Sequence, residues 1–367
     1  MAKNHLHFDG SRFKAINEKY NKWWDGKGTD PIVGSWFVQH NPTVNDPGPE
    51  IPLLAKPNIH MTHIPVSKLV DKIEYVYSQY EWYGDCFPFV NQAWWGPGFG
   101  AAMLGGRFDN RYGDVWQLPP LNRAPIEKFN FEFDPDNFWF KRLIEFSKCA
   151  TERFGPHCLV SMPDIGGILD IIHSFFPGDE MFLIMMDQPE EMHRICRQLE
   201  KVWDRIFNEF AKACNCKEYG YTNWSGCYSN TPCYTPQVDC SYMIGPHTFK
   251  EFGLPTLAYQ CKSIGRTLFH MDGVGVLNHL DMILGIKELN AIQWMSGEGK
   301  KPHSQWPEVY QRIIDGGKGV QFYFEEGFEA LIKMIETTGH PGRYQFIYNT
   351  QTDKEYMLKY LKLLKAI

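Results

Sequence analysis

His270 and Asp272 stand two residues apart in the stretch Arg266-Thr-Leu-Phe-His-Met-Asp-Gly-Val-Gly275. Residues i and i+2 of a strand point to the same face. An imidazole and a carboxylate therefore project together from one strand end. The pair suits acid–base work on a bound substrate or, with a third ligand, a zinc, iron or manganese ion. Glu325 or Asp239 would supply that ligand, and His270, Asp272 and Glu325 are the candidate metal set. The plainer reading is a hydrogen-bonded pair that closes the strand. Gly273 and Gly275 let the chain turn sharply and let a ligand approach the backbone. Asp85 and Asp239 are further candidate catalytic carboxylates, suited when desolvated to hold a cationic group or relay a proton. Either would equally serve as a helix cap. Asn91, Trp94, Trp95, Asn223, Trp224, Gln293, Trp294 and Glu325 fall at the ends of apolar runs and are candidate substrate contacts. The tryptophans would wall a site for an aryl ether, a methylated ammonium or a corrin face; core packing is the alternative.

These residues need a scaffold, and eight short apolar runs supply one, near 32–38, 86–90, 158–162, 219–224, 267–271, 291–295, 319–324 and 344–348. Helical spacing fills most intervals, as at 136–153, 167–174, 178–186, 189–214, 246–263, 276–284, 305–315 and 327–338. Alternating strands and helices predict a parallel sheet. Eight such units, closed by a helix at 353–364, predict a single α/β domain, a (β/α)8 TIM barrel over 31–367. An N-terminal helical extension, 1–30, precedes it, with a helix at 11–25 and Ser11 as N-cap. Long loops, 41–65 above all, lie at the C-terminal face of the strands. A doubly wound sheet is the alternative, but no Gly-x-Gly-x-x-Gly follows the first strand. Gly96, Gly98 and Gly100 lack the lysine of a phosphate loop. In a barrel the strands' C-terminal ends carry the chemistry, and the candidates above sit there.

The net charge is −6 and no basic run occurs, which argues against nucleic acid. No apolar run nears 18 residues, so no membrane span is expected. The polar start has no apolar signal region, and ten scattered cysteines without Cys-x-x-Cys read as free thiols. A cytoplasmic protein is the expectation. Cys214-Asn-Cys216 alone is a weak zinc signal.

The run Gln237-Val-Asp-Cys-Ser-Tyr-Met-Ile-Gly-Pro-His-Thr-Phe-Lys-Glu-Phe-Gly-Leu-Pro255 resembles a motif of the uroporphyrinogen decarboxylase superfamily. The strand with His270 and Gly273 follows at matching distance. Asp85-x-x-Pro88, with Gly98 and Leu104-Gly105, is similar to the N-terminal stretch of its cobalamin-dependent methyltransferase branch. Residues 35–60 contain no arginine and the last strand no histidine, unlike uroporphyrinogen decarboxylase itself. Thiol-activating members carry His-x-Cys where this chain has His270-Met-Asp272. The resemblance implies a barrel enzyme that passes a methyl group from a small O-, N- or S-methyl substrate to a corrinoid on a partner protein. It also allows a divalent metal such as zinc, and a homodimer. A cofactor-free decarboxylase of a pyrrolic or aromatic acid is the alternative it leaves open, and a ligand-binding barrel without chemistry is a third reading.

Overall fold

The computed structural model describes residues 5–49, 51, 62–111, 115–323, 326–349 and 353–367. It is a mixed α/β structure. Its strands are β1 (Ile32–Val38), β2 (Tyr80–Gly84), β3 (Phe89–Val90), β4 (Arg107–Asp109), β5 (Trp116–Leu118), β6 (Leu159–Val160), β7 (Cys233–Tyr234), β8 (Arg266–Asp272), β9 (Ala291–Met295), β10 (Gly319–Gln321) and β11 (Tyr344–Asn349). The main sheet runs β2-β1-β11-β10-β9-β8-β7. Every pairing in it is parallel except that of β2 on β1. β3 and β6 form a separate parallel pair, and β4 and β5 a hairpin.

The alternation of parallel strands and helices appears as expected; closure into an eight-stranded ring does not. The sheet is open, with β2 and β7 at its edges. Single backbone bonds lead on from it: Asp85 N–H donates to the Val33 carbonyl, and Met162 N–H to that of Thr222, each at 2.9 Å. The run 219–224 makes only an isolated antiparallel bridge, Tyr221 to Ser229. Its Asn223 side chain accepts from the Ser225 N–H and turns the chain instead. β7 takes the place beside β8 that this run was expected to fill. The run 86–90 keeps only Phe89–Val90, because Pro88 has no N–H for a ladder. β2 and the β4–β5 hairpin were not expected; β2 begins where the helix Val66–Tyr77 stops.

Long apolar periodicity translated well. The helix Pro189–Ala213 buries Met192, Ile195, Leu199, Trp203, Ile206 and Phe210, a stripe at helical spacing. Phe138–Phe154 is capped by Asn137, whose side chain accepts from Trp139 and Phe140 N–H. The helix expected over 246–263 is interrupted by a π turn at Phe249–Gly253 before Leu254–Ile264, and that expected over 276–284 begins as a 3-10 helix, Val274–His279. No helix among the described residues is long and apolar enough to cross a membrane.

The first helix, Arg12–Trp24, lies across the N-terminal ends of the strands. It buries Ile16, Tyr20, Trp23 and Trp24. Trp23 donates its indole N–H to the Arg343 carbonyl before β11, and Trp24 to that of Tyr228 before β7. Arg12 donates to the carbonyls of Trp82 and Gly84. Ser11 makes no side-chain cap; its N–H and hydroxyl donate back to Asp9.

Candidate functional site

A polar row crosses the sheet. In the register of the parallel strands, His270 on β8 faces Gln293 on β9, Gln293 faces Gln321 on β10, and Gln321 faces Gln345 on β11. Gln237 bridges to His270 from the other side. Polar residues at one register on neighbouring strands share a face, so the row forms a belt on the inner side. Alternate positions pack outward: Trp294, beside Gln293, is fully buried and meets Trp306 edge-on at 5.5 Å.

The belt borders a cavity of about 360 Å³, lined among others by Trp36, Phe87, Phe89, Asn91, Trp224, Ser225, Gln293, Gln321, Tyr323 and Gln345. That volume lies at the small end of the range for small-molecule sites, roughly 300–1,000 Å³. Its described lining is rings, aliphatic groups and carboxamides, with no Lys, Arg, Asp or Glu. Trp36 Nε1, Trp224 Nε1 and Gln345 Oε1 are buried without a partner among the described residues. Asn91 accepts from Ala93 N–H and donates to the Trp224 carbonyl, fixing two walls to each other.

His270 stands at the edge of this cavity. Its ring meets Trp224 edge-on, with centroids 5.2 Å apart, and its Nδ1 is hydrogen-bonded to Gln293 Oε1 at 2.5 Å. Burial lowers its proton affinity, opposed by the Gln293 bond and by Asp272 and Asp170.

Beyond His270 lie carboxylates. Asp239 and Asp272 line a cleft of about 240 Å³ with Tyr242, Ser296, Glu298 and Lys300. Asp239 is open to that cleft yet crowded by protein on its other sides. The crowding, then Asp170, Asp272 and Asp164, raise its pKa well above the ordinary carboxylate value. Asp170 accepts from Cys240 N–H at 3.0 Å, while its Oδ2 is sealed from solvent with no partner; burial raises its pKa too. Burial lifts Asp164 to about 6 against bonds from Gly166 N–H and Gln237 Nε2. Like charges so placed cannot all ionise cheaply, so ionisation of Asp239, Asp170 and Asp164 is disfavoured.

Gly273 has φ 88°, and a Cβ there would meet the Tyr242 ring at 2.6 Å. The glycine makes room for a protein side chain; the ligand approach expected of it is taken by Tyr242.

The structure sorts the other candidates. His270, Asp272 and Asp239 come together, and Asn91, Trp224 and Gln293 line the cavity. Asp85 does not join them. It lies under the first helix at the opposite end of the strands, paired with Lys19 at 2.5 Å and accepting from Val33 N–H. Trp95 is core, edge-on to Phe146, and Trp94 is half-buried against the core. Asn223 is buried and knits a loop, accepting from Ser225 and Thr235. Glu325 lies outside the described residues. Among the described residues no group of three His, Cys, Asp or Glu is arranged to hold a metal ion; His270 and Asp272 lack a described third ligand.

Trp36, Gln321, Gln345, Asp164 and Asp170 were missing from the candidates. The glutamines had a legible signal: each is a lone polar residue inside an apolar strand. Asp170 had one too, as the one carboxylate in the helix Ile168–Phe175.

No family model matches the chain. It is 30% identical over 151 residues to a D-galactonate dehydratase family member of Pseudarthrobacter chlorophenolicus, covering 39% of this chain and 32% of that protein. The chain thus matches about a third of the length of this curated relative.

Proposed function

We propose that the protein is a methyltransferase. In this reading it takes a methyl group from a small uncharged substrate, bound in the aromatic cavity, and gives it to a corrinoid presented by a partner protein. One observation supports the reading: a cavity whose described lining has no Lys, Arg, Asp or Glu adjoins carboxyl groups whose proton affinity is raised. An alkoxide or amide leaves poorly unless protonated. Asp239, backed by Asp170, is the proton donor to the leaving heteroatom, and Trp224 and Trp36 orient the substrate. In this reading the strands belong to a (β/α)8 barrel, which the parallel pairings running from β7 to β11 and on to β1 support. No step is assigned to a metal, because the described donors do not complete a ligand set.

Decarboxylation of a pyrrolic or aromatic acid is less well supported. Substrate carboxylates call for bidentate arginine or lysine partners. Arg111, Arg123 and Arg266 are engaged with Asp109, Glu180 and Asn21. The dehydratase named for the relative needs a similar acid, here to expel a hydroxyl, but a sugar acid brings the same carboxylate demand.

The test mixes protein with cob(I)alamin and, in turn, a methoxylated phenol, a methylamine and a methyl thioether, following methylcobalamin by absorbance. Turnover of an uncharged donor, lost in Asp239→Asn, is expected. Release of CO2 from an aromatic acid, or loss of water from an aldonic acid, with no methylcobalamin from any donor, overturns the reading.

A further inference from the structure

The amide belt does more than border the cavity. Its hydrogen bonds form a chain with one fixed end. The Gln321 carboxamide lies 2.9 Å from the Ser225 carbonyl oxygen. A carbonyl only accepts, so the group facing it is the NH2. Cys227 Sγ, 3.5 Å away, takes the other hydrogen of the same group. The Gln321 oxygen must then face Gln293, and the Gln293 group bonded to it must be its NH2. This leaves the Gln293 oxygen for His270, 2.5 Å from Nδ1. An oxygen there requires a hydrogen on Nδ1. Each choice follows from the one before, so the result does not depend on how any single amide is oriented.

We infer that the chain Ser225–Gln321–Gln293 locks His270 in the Nδ1–H tautomer, so that its Nε2 lone pair is the working atom of the site. Gln293 and Gln321 are positioning residues for that atom. Nε2 has no protein hydrogen bond among the described residues, and burial of the ring disfavours the cation. A neutral imidazole with a bare Nε2 accepts a hydrogen bond or a proton. His270 therefore receives an O–H or N–H of the bound molecule and does not donate to it. The roles divide: the Asp239 group supplies a proton, and His270 Nε2 accepts one. Gln345 donates through Nε2 to the Tyr20 hydroxyl, and its buried Oε1, without a partner among the described residues, is a second acceptor at the far end of the belt. Both acceptors select an uncharged planar molecule carrying a hydroxyl or N–H, which deepens the substrate class of the methyltransferase reading. The tautomer itself stands independently of that reading.

The test is long-range 1H–15N correlation on full-length protein labelled with 15N-histidine, with His270 assigned by its loss in His270→Gln. The expected wild-type pattern at neutral pH is a protonated Nδ1 and an unprotonated Nε2. In Gln293→Leu the lock is gone and Nε2–H signal appears, while the remaining histidine signals hold their positions. In Gln293→Glu a carboxylate faces the ring, and the His270 pKa rises by about 1–3 units. Phenol added to wild type shifts Nε2, and trimethylammonium does not. A wild-type Nε2–H tautomer, an imidazolium at neutral pH, or an unchanged tautomer in Gln293→Leu overturns the inference. A wild-type Nδ1–H pattern with no methyl transfer would instead fault only the methyltransferase reading.

Discussion

Lys19 and Asp85 give the sharpest separation of scaffold from site. The Asp85 carboxylate is buried under the first helix, with its side chain 10% exposed and that of Lys19 25% exposed. Lys19→Ala leaves Asp85 with the Val33 N–H bond and the more distant Arg12 charge. Breaking a fully buried pair costs about 3–5 kcal/mol. A quarter of the lysine side chain is already in water, so about 2–3 kcal/mol is expected here. Unfolding entropy near 2.1 cal/mol/K per residue gives about 0.8 kcal/mol/K for 367 residues. The melting midpoint should therefore fall by about 3–4 °C. The sign with pH is fixed. Burial has already raised the Asp85 pKa, and loss of Lys19 raises it further. The folded state then holds the proton more tightly than the unfolded chain. The deficit is fully present above that raised pKa and shrinks as pH falls through it toward about 3.9, the unfolded value. Urea unfolding at neutral pH and at pH 5, with ligand affinity in parallel, checks this. Asp85→Asn should keep ligand binding and turnover. A Lys19→Ala protein as stable as wild type, or a folded Asp85→Asn protein that no longer binds, would refute the assignment of Asp85 to the scaffold.

Four further outcomes are expected. Gln345→Leu removes a buried oxygen that has no partner among the described residues, and with it the Nε2–H bond to the buried Tyr20 hydroxyl; stability by urea titration should fall by about 1–3 kcal/mol, while ligand affinity by calorimetry falls about 5- to 100-fold. Trp95→Ala should cost about 3–5 kcal/mol of stability, whereas Trp224→Ala, at the cavity wall, should chiefly weaken binding, as fluorescence titration would report. The pH profile of kcat/KM should decline on the alkaline side as the Asp239 group loses its proton. Gly273→Ala forces a side chain at φ 88° against Tyr242 and should lower the melting midpoint, which Tyr242→Ala partly restores because the clash then disappears.

Sequence patterns reported what is repeated over many residues and missed what is decided by one. The helix Pro189–Ala213 was legible because its stripe recurs over seven turns of chain. β7, two residues long, carries no period at all. Strand 219–224 had strand-like composition, but the Asn223 side chain competes for the backbone and wins. For the site, strand alternation placed His270 with Asp272, while Gln293 and Trp294 were both candidates and the structure turns only Gln293 to the cavity. Alternation could not rank Trp94, Trp95, Trp224 and Trp294, since a ring in a wall and a ring in a core have the same neighbours in sequence. Asp85 looked like a site carboxylate until the first helix, distant in sequence, supplied Lys19. The acidic group is likewise a product of three separate segments, 164–170, 239 and 272.

The first helix is also a matter of timing. Its Trp23 indole waits for the Arg343 carbonyl, 320 residues further on. At synthesis rates of about 5–20 residues per second, that partner arrives about 16–64 s later. Tyr20 meets the Phe87 ring sooner, and Trp24 the Tyr228 carbonyl, so Trp23 is the last of the three to gain its partner. The lower end of the sheet is therefore sealed only once the segment around Arg343 has been made.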